Sequence, residues 1–282
     1  MRPDNLQTKI FLDSGDPGET RAVLLALGFL DGQTTNPSLV AKNPATAGKK
    51  FSQEELLRFY RGIVEEVSAL IPQGSVSIEV YADPNTTTEE MLKQGREFYK
   101  WIPNAHIKYP TTTEGLKAAE ISVKEGMRVN MTLVFSQEQA AAVYAATLGA
   151  LRGQVFVSPF MGRHFDAGRN GIDLLKNVIK MYKQGDGHVM VLGASLRDVQ
   201  QFYAAMQSGP DIITVNIKYL NKWKEENLKL PGEDFVYAPA NLEPIVYKEI
   251  DLNKPWQDYN IHHELTGKGL EQFAKDWNNL IK

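Results

Sequence analysis

An α/β chain folded as a single (β/α)8, or TIM, barrel with an additional C-terminal helix is what this sequence predicts, on three observations. Eight short apolar or β-branched runs recur along the chain, each followed by a segment of helical spacing. Strand–helix alternation implies parallel strands, and eight such units is the number that closes a barrel. At 282 residues the chain is long for an ordinary domain, yet barrels of this kind run to about 250 residues as one unit. An open doubly wound sheet is the alternative, but no G-x-G-x-x-G or Walker pattern follows any run.

The runs cover 9–14, 33–36, 76–82, 106–110, 129–136, 155–160, 189–195 and 212–216. Between them, 53–70 places Leu56, Leu57, Tyr60, Ile63, Val64 and Val67 on one helical face. Ser52 with Glu55 three residues later forms a capping box at its start. The alanine-rich stretch 137–151 can pack closely on the strands, with Ser136 as its N-cap. Segments 172–182 and 196–206 have similar amphipathic spacing. The rhythm then breaks. Residues 225–263 read as an inserted irregular segment, rich in proline between 231 and 262, with one expected strand at 245–250. A closing helix is expected within 264–282, with Leu270, Phe273, Ala274 and Trp277 on one face. Nothing marks a second domain, so 1–282 is expected to be one barrel domain.

Composition removes several classes of function. A net charge of -3 lacks the basic excess of a nucleic-acid footprint. With no cysteine there can be no disulfide, iron–sulfur cluster or thiolate zinc site. The five histidines lack ligand spacing such as H-E-x-x-H, so no metal is expected. The triplet His262–His263–Glu264 reads as a solvated or capping feature ahead of the last helix. Residues 1–12 lack the apolar core of a signal peptide, and no stretch approaches ~18 apolar residues. A cytoplasmic protein without membrane contact is the expectation.

Barrel strands point inward at alternate positions, and their C-terminal ends face the active site. Polar residues stand there in number. KIFLDS ends near Asp13, TTNPS supplies Thr34 and Asn36, and SIEVYAD sets Glu79 between Ile78 and Val80. HIKYPTT holds Lys108 between Ile107 and Tyr109. VNMTLVFS carries Asn130 and Thr132 two apart, hence on one face. FVSPFMGR offers Ser158 and Arg163, and VLGASLR offers Ser195 and Arg197. A lone strand lysine is ordinarily an edge or snorkelling residue. Burying one ionisable group is costly, so Asp13, Glu79 and Lys108 on three strands make sense as one paired network. A lysine among apolar groups and arginines can be a neutral amine, which attacks carbonyls to form Schiff bases. A nearby carboxylate can move hydroxyl protons. The serines and arginines suit a phosphate dianion.

The stretches FLDSGDP, DGQTTNPSLVAK, SIEVYAD, IKYPTTTEGLKAAE, VNMTLVFSQEQA, VSPFMGR and VLGASLR, in this order from about residue 9 to 200, closely resemble the transaldolase family. HELTGKGLEQFAKDW is similar to the tail of its compact bacterial members. The resemblance implies that Lys108 is the Schiff-base lysine and Asp13 the acid/base acting on the C4 hydroxyl. It implies that Glu79 and Thr132 hold a catalytic water. Thr34, Asn36 and Asn130 would bind the dihydroxyacetone moiety and hydroxyls, and Ser158, Arg163, Ser195 and Arg197 the phosphate. Substrates would be sugar phosphates of the pentose phosphate pathway, with fructose 6-phosphate or sedoheptulose 7-phosphate as donor. No cofactor is implied, and a homo-oligomer (dimer, pentamer or decamer) is.

A fructose 6-phosphate aldolase of the same family, releasing free dihydroxyacetone, is one alternative. Those aldolases tend to carry glutamine in place of Glu79 and tyrosine in place of Phe160, so both positions here resemble transaldolases. A sugar-phosphate-binding barrel without catalysis is a second. The chain departs from the family at His164 and Phe165 after the Gly-Arg pair, at Tyr109 after the lysine, and in the insertion, expected to pack outside the barrel or at a subunit contact.

Overall fold

The structure, a computed structural model, describes residues 2–239 and 241–282, so Met1 of the expected barrel and Ala240 of the inserted segment lie outside it. Among the described residues, eight parallel strands close in chain order. They are β1 (Lys9–Asp13), β2 (Gly32–Thr34), β3 (Ser75–Glu79), β4 (Ala105–Pro110), β5 (Val129–Val134), β6 (Val155–Pro159), β7 (Val189–Gly193) and β8 (Ile212–Val215). β8 returns to pair with β1, from Lys9 opposite Ile212 to Leu12 opposite Val215. The expected α/β barrel is the observed fold.

Helices follow the strands: α1 (Pro17–Leu27), α2 (Pro37–Ala41), α3 (Gln53–Leu70), α4 (Thr88–Phe98), α5 (Thr113–Lys124) and α6 (Gln137–Ala146). After β6 come α7 (Gly162–Asp166) and α8 (Gly171–Tyr182), then α9 (Val199–Gln207), α10 (Ile217–Glu225) and α11 (Glu264–Asn278). Both partners of the Ser52–Glu55 capping box are in place on α3, and the Ser136 hydroxyl accepts from Gln139 N on α6. Two helices differ from expectation. α6 stops short of 151 because the Thr147 hydroxyl donates to Val143 O at 2.8 Å and Gly149 turns to a left-handed φ of 88°. α9 starts at Val199 because Asp198 takes the N-cap position, which leaves 195–197 as loop.

Alternation along the strands makes two cores. Ile10, Leu12, Val76, Ile78, Ile107, Val129 and Val157 face the helices in the larger core. Phe11, Phe156, Met190, Leu192 and Ile212 form a separate cluster, with Phe11 and Phe156 edge to face at 6.1 Å. Gly32 leaves room for this plug, since a Cβ there would sit 2.4 Å from the Phe11 ring. Two residues further along the same strands stand Asp13, Ser158 and Thr214. Period two thus sets apolar residues in the barrel floor and polar ones at its mouth.

α11 packs against α2 and β5. β5 has a register shift between Met131 and Val134, and Leu133 takes a left-handed φ of 59°. The carbonyl this turns outward accepts from Thr266 Oγ1 of α11 at 3.0 Å, and Gln139 Nε2 donates to the same hydroxyl at 2.8 Å. A bulge beside a functional strand end re-aims its side chains.

No strand forms at 245–250; this expectation is corrected. The barrel has no free edge to accept a ninth strand, so side chains meet the backbone there instead. Asp173 Oδ2 accepts from Ile245 N (3.1 Å) and Asn177 donates to Ile245 O (2.8 Å). Gln137 both accepts from Lys248 N (2.9 Å) and donates to Lys248 O (3.0 Å). Further on, Trp256 Nε1 donates to Glu120 of α5 at 3.0 Å. The segment is a strap over the outside of α8, α6 and α5.

Candidate active site

Lys108 lies on β4, directly opposite Glu79 of β3 on one side and Asn130 of β5 on the other. Its side chain is 3% exposed, with Nζ 2.9 Å from Glu79 Oε2 and 3.3 Å from Thr35 O. The Phe160 ring centroid is 5.9 Å from the same nitrogen. The carboxyl of Glu79 is thus a charged group in direct contact with the lysine. Burial pushes the Glu79 carboxyl above its ordinary range, with Lys108 pulling the other way. Such a carboxyl has high proton affinity and can take a proton from the amine it touches.

Thr132 Oγ1 is a buried atom without a hydrogen-bond partner among the described residues, and Glu79 Oε2 meets Lys108 Nζ at 2.9 Å. They stand on the strands that flank β4, beside the β5 bulge. An orphaned polar atom such as Thr132 Oγ1 marks a place for a bound water or substrate atom.

Asp13 closes β1 and is half-buried. Thr34 Oγ1 donates to Asp13 Oδ1 at 2.6 Å and lies 2.6 Å from Thr214 Oγ1 of β8. Burial raises the Asp13 carboxyl as well, against the opposing pull of Lys108 and then Lys42. Two carboxylates with elevated proton affinity therefore share one lysine. Asn130 is locked in place, donating to Ser77 Oγ at 3.0 Å and accepting from Ser158 Oγ at 2.7 Å. Asn36 caps α2 with its side-chain oxygen, accepting from Leu39 N at 2.9 Å.

A cleft of about 590 Å³ brings together Asp13, Thr34, Asn36, Lys108, Ser158 and Phe160 with Arg163, Ser195 and Arg197. Glu79, Asn130 and Thr132 stand behind its lining. Asp166 accepts from Arg197 Nε and Nη2, at 3.1 and 2.6 Å, which lowers the acid and raises the guanidinium. Burial, then the neighbouring Arg197, lowers Arg163. A dianion would relieve that repulsion. Gly162 makes the arrangement possible: a Cβ there would sit 2.5 Å from Ser195 Oγ and 2.7 Å from Arg197 Cζ.

The family described as Transaldolase/Fructose-6-phosphate aldolase matches residues 10–282. The chain belongs to this family. A protein of Dehalococcoides mccartyi named "Probable transaldolase" is 40% identical over 274 residues, covering 97% of this chain and 100% of that one. One of the same name from Halalkalibacterium halodurans is 35% identical over 271 residues, 96% of this chain and 99% of its own. Another from Thermus thermophilus is 33% identical over 272 residues, with coverage of 96% and 99%.

Within this transaldolase/aldolase framework, sequence reading passed over several lining groups. Thr214 had a signal, being polar in an otherwise apolar strand, and so had Ser77, which stands behind the lining and holds Asn130. Ser38, Lys42, Tyr219, Gln272 and Asp276 had none, since helices α2, α10 and α11 carry them over the mouth. His164 departs from the phosphate end altogether. It is buried, with Nε2 2.9 Å from Phe135 O. Tyr109 fills the strand–helix layer, its hydroxyl 3.0 Å from Ser122 Oγ. His263 is a cap, accepting from Leu265 N at 3.2 Å.

Proposed function

We propose that the chain is a cytoplasmic transaldolase, moving a dihydroxyacetone unit from a ketose phosphate to an aldose phosphate through a Schiff base on Lys108. The observation that carries this reading is the contact between Lys108 Nζ and Glu79 Oε2 at 2.9 Å, inside a barrel whose mouth holds Asp13. Glu79 takes the ammonium proton and leaves an amine with a lone pair. That amine adds to the donor's C2 carbonyl. The oxygen takes one proton from the nitrogen that has added and, through a water on Thr132 Oγ1, the other from Glu79, so it leaves as water and Lys108 becomes an iminium. Asp13 then removes the C4 hydroxyl proton, the C3–C4 bond breaks, and its electrons flow into the iminium to give an enamine. The aldose phosphate departs, an acceptor aldehyde is attacked by the enamine, and water hydrolyses the new imine. Arg163, Arg197, Ser158 and Ser195 grip the phosphate far from the breaking bond, where binding energy serves orientation.

Phe160 favours transfer over the aldolase reading, because the ring facing Lys108 has no proton to give the enamine. Borohydride reduction with fructose 6-phosphate should add a three-carbon mass to Lys108 and none to a Lys108→Met variant. Turnover should require erythrose 4-phosphate. Free dihydroxyacetone formed without that acceptor would establish the aldolase instead, and no adduct at all would leave a binding barrel.

A further inference from the structure

A second cleft, of about 400 Å³, lies between the start of α6, the α7–α8 connection and the strap and shares no lining residue with the first. Arg169 and Lys248 line it, and among the described residues neither forms a salt bridge, although Arg169 is near enough to Glu264 to help Lys268 lower that carboxyl. The carboxylate on the same wall, Glu138, is engaged by Asn260 N at 2.8 Å. α6 and α11 both begin here, at Gln137 and Glu264. Helix N-termini add partial positive charge, so the cleft favours an anion.

His164 gives an independent sign of a ligand. The residue is 2% exposed and lines the cleft, and its Nδ1 has no partner among the described residues. Because Phe135 O can only accept, Nε2 carries the hydrogen of that 2.9 Å contact. Nδ1 is then a buried lone pair, a deficit that a hydroxyl donor would relieve. His263 uses Nδ1 to accept from Leu265 N, so its Nε2 is a donor. We propose that this cleft is a second binding site, for a small hydroxylated anion such as a polyol or sugar monophosphate, with the phosphate on Arg169 and Lys248 and a hydroxyl donating to His164 Nδ1.

The site has a short path to the amine. The Phe135 ring lies 5.5 Å from His263, 5.8 Å from His164 and 5.8 Å from Phe160, which faces Lys108. A ligand that shifts Phe135 therefore presses on the wall of the first cleft. The proposal does not depend on transaldolase chemistry, and its test needs no turnover.

Titration calorimetry with sn-glycerol 3-phosphate on the full chain is the experiment. An Arg163→Ala/Arg197→Ala variant, disabled in the first cleft, should keep saturable binding. Adding Arg169→Ala and Lys248→Ala should weaken that binding by ~10-fold or more. Uncharged erythritol should bind far more weakly. No binding in the first variant, or no loss in the second, overturns the proposal. In histidine-labelled Arg163→Ala/Arg197→Ala protein, the His164 Nδ1 resonance should move on adding glycerol 3-phosphate. This readout leaves the second cleft unmutated, so it decides the matter even if the fourfold variant misfolds, and an unmoved resonance overturns the hydroxyl contact.

Discussion

Asp13 and Glu79 are held against their own stability. Burial raises both carboxyls even after the pull of Lys108. The folded chain thus keeps protons that the unfolded chain has lost, and each ionised acid costs stability once pH exceeds its unfolded value. Asp13→Asn at pH 7 should accordingly raise the thermal midpoint by ~2–4 °C, the shift that about 1 kcal/mol gives a large domain. The same substitution should cut kcat at least ~100-fold by removing the base. A lowered midpoint would show that the charge is compensated. At this scale the sequence was informative wherever a charge sat between apolar or aromatic neighbours, as Glu79 and Lys108 do. Ser77 and Thr214 slipped through because a hydroxyl in a strand is unremarkable until its partner is known. That partner, Asn130 for one and Thr34 for the other, comes from a different strand.

Strand boundaries carry the lesson at the level of elements. The expected runs 155–160 and 189–195 overshoot β6 and β7, and Phe160 and Ser195 fall just past the ends. Ser195 adopts a left-handed φ of 63°, and Phe160 and Ala194 share an isolated bridge. Strand-like composition continues into the mouth because Ala194 is still buried and Phe160 and Ser195 partly so, although the ladder has ended. α7 starts on Gly162, the residue that lets Ser195 and Arg197 approach. Gly162→Ala should push both away and raise KM for a phosphorylated donor by ~10-fold or more, with kcat for an unphosphorylated donor nearly unchanged. Equal effects on both donors would place the damage elsewhere. The short α2 and α7 were hardest to foresee, each being only five residues long.

Across the whole molecule, the barrel count was readable from eight alternating units, whereas the course of the strap was not. Its backbone is satisfied by amide and carboxylate side chains on α6 and α8, pairings without a periodic signature. Global stability should fall in acid through His106, deep in the barrel. Its ring stacks on Phe156 at 4.0 Å, and its nitrogens meet Ser75 Oγ (2.7 Å) and Gly153 O (2.9 Å). Burial pushes this imidazole down to about 3 from an ordinary 6.5. Between those values the unfolded chain takes up a proton that the folded chain refuses, so stability present above about 6.5 is lost as pH drops, by ~1.4 kcal/mol per unit at most. Asp13 and Glu79 titrate in the opposite sense and soften the slope. Urea midpoints measured from pH 7 to 4 should decline more gently in His106→Gln; parallel curves would exonerate this residue. The walls of the first cleft have a temporal consequence too. Gln272, Phe273 and Asp276 of α11 border the space that holds Asp13 and Lys108. Ribosomes deliver those groups long after the lysine, so this wall of the cleft is completed last, when α11 docks against the outward-turned carbonyl of Leu133.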